Sequence, residues 1–207
     1  MVAAYHLIWT VYGYWLPNDP RGSTSLQVHC AKIAELGNLH YGRKRIQPAG
    51  TVIREFYEAA RGVLKHKLLT FTPEEAQLIA CGFAGVIKKH NYTCYACVVM
   101  PDHIHLVIRK HRDQAEEMIA NFQETTRIMV CENPIGQHGP AHPVWGGPGW
   151  KVFLNSQGDI CRTISYVEQN PVKIGRAKQV WPFVKPYDGW LPGRGPAKPQ
   201  ANRKSYL

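Results

Sequence analysis

The chain has 207 residues, of which 44% are hydrophobic and 11% aromatic, enough for one well-cored domain and too apolar for a disordered tail. Lys and Arg number 25 against 15 Asp and Glu, and the resulting net charge of +10 points toward polyanionic partners such as nucleic acid. No window approaches the ~18 uninterrupted apolar residues of a membrane span, and Met1–Trp9 holds no basic leader before an apolar run, so a cytoplasmic protein with no membrane partner is expected.

The first strand is predicted over Tyr5–Tyr12, rich in β-branched and aromatic residues, and it ends at Gly13. The turn-rich stretch Gly13–Ser23 breaks regular structure, and residues 24–50 give no clear element, with Arg43-Lys44-Arg45 read as a solvated basic run. Ile53, Phe56, Tyr57, Ala60, Val63, Leu64 and Leu68 recur at helical spacing and predict a helix over 51–68. A second helix starts at Thr72, where Thr72, Pro73 and Glu75 fit the N-cap, first and third positions of a capping box, and it runs to Asn91.

Strands at 92–99 and 103–109 follow, joined by Met100-Pro101-Asp102 as an antiparallel hairpin. A third helix is expected over 113–131, a long Gly/Pro-rich loop over 132–149, a last strand at Trp150–Leu154 and a helix over 157–169. Set in order, these elements predict an α+β fold: a ferredoxin-like βαββαβ antiparallel sheet with helices on one face, an insertion after strand 1 at about 24–72, and a C-terminal helix carrying Tyr166. Residues 1–181 are read as one catalytic domain and 182–207 as a basic Pro/Gly-rich tail.

None of the six cysteines has disulfide-framework spacing. Cys94 and Cys97 form a CxxC, but positions i and i+3 of a strand point to opposite faces, so no zinc or redox role is expected. The histidines are more telling. On the 103–109 strand Ile104, Leu106 and Ile108 share one face, and His103, His105, Val107 and Arg109 share the other, so two imidazoles can reach one ion. On the last helix Ile160, Ile164 and Val167 form the apolar stripe, whereas Arg162, Tyr166 and Asn170 lie along another face. His138 and His142, in the Gly/Pro-rich loop, read as surface residues.

Met100-Pro101-Asp102-His103-Ile104-His105-Leu106-Val107, Tyr166-Val167-Glu168-Gln169-Asn170-Pro171-Val172-Lys173 and Trp15-Leu16-Pro17-Asn18-Asp19-Pro20-Arg21-Gly22-Ser23 together resemble the single-tyrosine HUH transposases, above all the REP-associated tyrosine transposases. The resemblance covers roughly residues 4–23 and 73–175. It implies that His103 and His105 hold a divalent metal, Mg²⁺ or Mn²⁺, with Asn170 as the third ligand and Glu168 or Gln169 as alternatives. It implies further that Tyr166 is the nucleophile of a transesterification that leaves a 5′-phosphotyrosine and a free 3′-hydroxyl on single-stranded or hairpin DNA. Arg162, Arg109, Lys110, Arg127, Lys151 and Lys173 are candidates for tracking phosphates, and Trp145, Trp150 and Phe153 for stacking on bases. A non-catalytic hairpin DNA- or RNA-binding protein on the same fold is the competing expectation, and the chain could act as a monomer or a homodimer.

Overall fold

A computed structural model describes residues 1–23, 25–28, 30–42, 44–133, 139 and 141–193. Strands β1 (Ala4–Thr10), β2 (Cys94–Val99), β3 (His103–Arg109) and β4 (Trp150–Leu154) form one antiparallel sheet in the order β2-β3-β1-β4. The helices are α1 (Ala31–Ala34), α2 (Gly50–Val63), α3 (Pro73–His90), α4 (Ala115–Glu132) and α5 (Gln157–Lys173). Once α1 and α2 of the insertion are set aside, β1-α3-β2-β3-α4-β4 is the ferredoxin-like order, with α5 added.

Strand alternation divides the molecule. Tyr5, Leu7 and Trp9 of β1, with Ile104, Leu106 and Ile108 of β3, are buried beneath α3 and α4. Those helices answer with Ile79, Phe83, Val86, Met118, Ile119 and Phe122. Trp9 centres this layer, its ring 5.8 Å from Phe83, 6.2 Å from Phe122 and 5.9 Å from Trp145. The helices can approach closely because position 82 is glycine: a Cβ there would lie 2.8 Å from both Met129 Sδ and Thr126 Cγ2. Both halves of the Thr72/Glu75 capping box start α3, and Asn91 ends it in the left-handed conformation at φ 58°.

The other face carries Ala4, His6 and Ile8 of β1 and His103, His105 and Val107 of β3, and α5 crosses its β2 and β3 half. Ile160 and Val167 are fully buried there with Tyr95, Ala96, Val98 and Val107. The sequence predicted that α5 stops at residue 169, because the residue before a proline is steered out of helical geometry. The helix instead runs to Lys173, with buried Pro171 in its last turn, where the missing N–H interrupts a helix that ends two residues later. In contrast α2 ends at Val63, five residues short of the predicted boundary, and Leu64 and Leu68 fold under Gly13, whose added Cβ would meet them at 3.0 and 2.5 Å.

The CxxC geometry also departs from expectation. A register shift between Cys94 and Ala96 sends Tyr95 and Ala96 to the α5 face and both Cys94 and Cys97 to the α3/α4 core. Both thiols are free and buried, and burial raises the pKa of each, so neither is prepared as a thiolate ligand.

The β2 edge is covered by the chain after α5. The Gln179 side-chain amide bonds Val99 N–H and C=O, each at 2.8 Å, and Lys185 N–H donates to Cys94 C=O at 2.8 Å. Tyr187 and Leu191 then pack against the α5 layer, so residues 179–191 are folded against the sheet; residues 194–207 of the basic tail, together with Arg43 and His138, lie outside the described residues. Among the described residues no helix is long and apolar enough to cross a membrane.

Candidate functional site

The site forms where α5 crosses the sheet face that strand alternation leaves to the histidines. His103 is half-buried and His105 is buried, and their ring centroids lie 4.7 Å apart with planes at 90°. Each ring is anchored through Nδ1. His103 Nδ1–H donates to Asp102 Oδ1 at 2.7 Å, an acceptor supplied by the neighbouring residue of the hairpin turn. His105 Nδ1 shares a 2.9 Å hydrogen bond with Nε2 of His6, on the adjacent strand β1. Neither Nε2 of the HxH pair has a hydrogen-bond partner among the described residues.

Burial removes water from these groups and sets their protonation. It lowers His6 to about 4, and it combines with the charges of His103, His6 and Lys173 to hold His105 well below the ordinary imidazole range. Both rings are therefore neutral near pH 7. Burial alone would raise Asp102, but the His103 hydrogen bond and the charges of His103 and Arg21 outweigh it, and its pKa lies below the usual carboxylate value.

From α5, Tyr166 presents its ring edge-on to both histidines, 5.8 Å from His105 and 6.2 Å from His6 between centroids. Its side chain is 42% exposed, and its hydroxyl has no hydrogen-bond partner among the described residues. Lys173 Nζ lies 4.5 Å over the ring and 3.5 Å from Asn170 Oδ1. Asn170 is buried one turn beyond Tyr166, and its Nδ2 is among the few buried polar atoms without a partner.

These donors fit a divalent ion in kind. Two imidazoles have their outer nitrogens fixed and their inner nitrogens available, which is the usual arrangement of metal-binding histidines; the unpartnered atom of Asn170 is Nδ2, a hydrogen-bond donor, and its Oδ1, the atom that could ligate, accepts from Lys173. Among the described residues no three His, Cys, Asp or Glu side chains are grouped to hold an ion, so a third donor would be an amide, a phosphate oxygen or water.

Of the sequence-selected residues, His103, His105, Tyr166, Asn170 and Lys173 thus occupy one region. The other cations are elsewhere. Arg162 is 75% exposed and pairs with Asp159 at 2.6 Å near the start of α5. Arg109 shares the histidine face but stacks on Trp190 at 3.7 Å. Lys110 is exposed beyond the end of β3, Arg127 pairs with Glu124 at 3.0 Å on α4, and Lys151 sits across the sheet, paired with Glu116. Glu168 is exposed and Gln169 half-buried on α5.

Two features escaped the sequence reading. His6 is one; its signal was the β1 alternation, which sends Tyr5, Leu7 and Trp9 to the core and therefore His6 to the histidine face. The other is a buried cluster between the turn after β1 and α2 of the insertion. Arg21 forks onto Asp19 through Nε at 3.0 Å and a terminal nitrogen at 2.7 Å, that nitrogen also reaches Tyr57 Oη at 2.6 Å, and the Tyr57 hydroxyl donates to Asp19. Trp15, at φ 54°, donates its backbone N–H to Tyr57 Oη at 2.9 Å while the guanidinium lies 4.0 Å over its ring. The Arg21 charge also lowers the pKa of Asp102, after the larger effects of the His103 hydrogen bond and charge.

No protein-family model matches the chain, and no curated protein matches it. Among solved structures it is similar to a REP-associated tyrosine transposase bound to a REP hairpin, with 14% identity, a TM-score of 0.44, and 87% of this chain and 74% of that one covered. It is also similar to a candidate transposase from Deinococcus radiodurans R1, with 12% identity, a TM-score of 0.36, and coverage of 86% and 93%.

Proposed function

We propose that the chain is a metal-dependent tyrosine transposase, a nuclease and strand transferase that cleaves and rejoins single-stranded DNA at hairpins. One observation carries the reading: an exposed tyrosine with an unpartnered hydroxyl stands edge-on to His105, one of two histidines each anchored through Nδ1, and beneath a lysine ammonium. A packing tyrosine would instead be buried with its hydroxyl bonded.

In this mechanism Tyr166 loses its phenolic proton to water and Oη attacks phosphorus in line. The Oη–P bond forms as the P–O3′ bond breaks, the departing 3′ oxygen takes up a proton, and the DNA stays attached as a 5′-phosphotyrosine. Attack by a DNA hydroxyl on that ester reverses the step without an external energy source. Lys173 stabilises negative charge on the phenolate and the phosphate from its position over the ring. His103 and His105, with Asn170, would hold Mg²⁺ or Mn²⁺, which when bound supplies positive charge to a non-bridging phosphate oxygen.

Single-stranded substrate is supported by the open half of the histidine face. Strand pairing aligns His105, Ile8 and Trp150 in one row across β3, β1 and β4, and Trp150 and Val152 are 48% and 40% exposed. An unpaired base beside the reacting phosphate can stack on such a surface; a base held in a duplex cannot.

The decisive experiment incubates the protein with labelled hairpin oligonucleotides and Mn²⁺. An SDS-resistant adduct that Tyr166→Phe abolishes is the expected result. Binding of hairpins with no adduct in any divalent metal would replace the reading with a non-catalytic hairpin DNA- or RNA-binding protein. Mixing His103→Ala with Tyr166→Phe subunits distinguishes a self-sufficient monomer from a homodimer with shared sites, because only the latter regains activity.

A further inference from the structure

We propose that His6 is a positioning residue that fixes the tautomer of His105, so that His105 carries its proton on Nδ1 and presents the Nε2 lone pair to the site. The proposal deepens the reading above, since it concerns how one histidine of that site is made fit to bind a cation.

The two rings are partly stacked, with centroids 5.0 Å apart and planes at 29°, and a single 2.9 Å hydrogen bond joins His6 Nε2 to His105 Nδ1. A neutral imidazole has one N–H and one lone pair, so one proton serves this bond, and the ring that supplies it is committed at its other nitrogen too. If His6 donates, His105 must hold its own proton on Nε2 and can only offer an N–H to the site. If His105 donates, His6 accepts and the Nε2 lone pair of His105 faces inward.

The cation-binding reading selects the second arrangement, because His105 Nε2, which has no hydrogen-bond partner among the described residues, can meet a cation only with a lone pair. The same arrangement holds at His103, where a carboxylate can only accept and Asp102 therefore holds a proton on His103 Nδ1. The site thus uses two different devices for one purpose. A carboxylate anchors the more exposed histidine, and a neutral, buried imidazole anchors the buried one, where a second carboxylate would have been costly to desolvate.

The test begins with the metal-free wild-type protein, so it depends neither on folding of a variant nor on any catalytic activity. Long-range ¹H–¹⁵N spectra of ¹⁵N-histidine-labelled protein are expected to show His105 protonated on Nδ1 and unprotonated on Nε2; protonation on Nε2 overturns the proposal. In His6→Ala the His105 tautomer is expected to become mixed or to invert while His103, held by Asp102, keeps its pattern and reports an intact site. In His6→Gln, whose amide oxygen can accept the same bond, the wild-type pattern is expected to return. Mn²⁺ titration should show about 10- to 100-fold weaker binding for His6→Ala and recovery to within a few-fold for His6→Gln. Unchanged tautomer and Mn²⁺ affinity in His6→Ala would overturn the positioning role, even if the Tyr166 adduct forms as expected. Conversely, absence of an adduct leaves the tautomer result standing.

Discussion

Replacing Tyr57 by Phe tests whether the insertion is a cooperative part of the fold. The Tyr57 oxygen takes part in three hydrogen bonds: it donates to the Asp19 carboxylate and accepts from the Arg21 guanidinium and the Trp15 backbone N–H. Two of these involve a charged partner, where a single bond contributes about 1.5–3 kcal/mol, and the orphaned Trp15 N–H adds about 1 kcal/mol. Because the three share one atom and Arg21 keeps its two contacts to Asp19, they do not add; a net loss of about 3 kcal/mol is expected. Burial raises the Tyr57 pKa, so the phenol is neutral and the loss should be flat across neutral pH. For a chain of this size 3 kcal/mol corresponds to a melting temperature lower by about 6–12 °C, readable by circular dichroism or urea titration. A double-mutant cycle with Asp19→Asn should show coupling of about 1 kcal/mol or more. A melting temperature within about 2 °C of wild type would refute the reasoning, because the cluster would then be a surface arrangement with no energetic link to the domain.

The remaining expectations concern pH and substrate contacts. His6 titrates at about 4 when folded and near 6.5 when unfolded, so the unfolded chain binds the extra proton; stability is full above about pH 6.5 and declines as pH falls toward 4. Between pH 7 and pH 5 the metal-free protein should lose about 2 kcal/mol from His6, with His105 acting in the same direction, and a urea midpoint unchanged over that interval would refute the assignment. Lys173→Gln keeps the amide contact to Asn170 within reach but removes the charge over Tyr166, and should slow adduct formation about 10²-fold with hairpin affinity little changed; an equal rate would remove Lys173 from the chemistry. Trp150→Ala should weaken binding of single-stranded DNA by about 1–3 kcal/mol and lose that penalty against an oligonucleotide lacking the base beside the reacting phosphate. Equal penalties for both oligonucleotides would count against stacking.

What could be read from the sequence follows the range of the forces involved. The α3 capping box, the two faces of β3 and the Ile160/Val167 stripe of α5 depend on residues three or four positions apart or on simple alternation, and all lie where that pattern predicted. The end of α5 lies beyond the point that the local preference of a pre-proline residue predicts, because tertiary burial of Pro171 and Asn170 decides it. At the CxxC a single bulge likewise overrides period-two alternation, turning Cys94 and Cys97 to one face. The pairing of His6 with His105, 99 positions apart, belongs to a different class. It follows from placing β1 beside β3 in antiparallel register, and only then does the alternation of Tyr5, Leu7 and Trp9 acquire a functional meaning. The Asp19–Arg21–Tyr57 cluster lies beyond even that reasoning, because no periodic pattern connects a turn at residues 13–23 to a helix at 50–63. Its location explains why so polar a group is buried. Val11 N–H donates to Asp102 C=O at 2.9 Å at the mouth of that turn, so the backbone that supports the His103 anchor and the loop that carries Asp19 and Arg21 are joined at their base. An apolar plug could fill the same volume, but it would not add the charge of Arg21, which lowers the Asp102 pKa alongside the larger effects of the His103 hydrogen bond and charge.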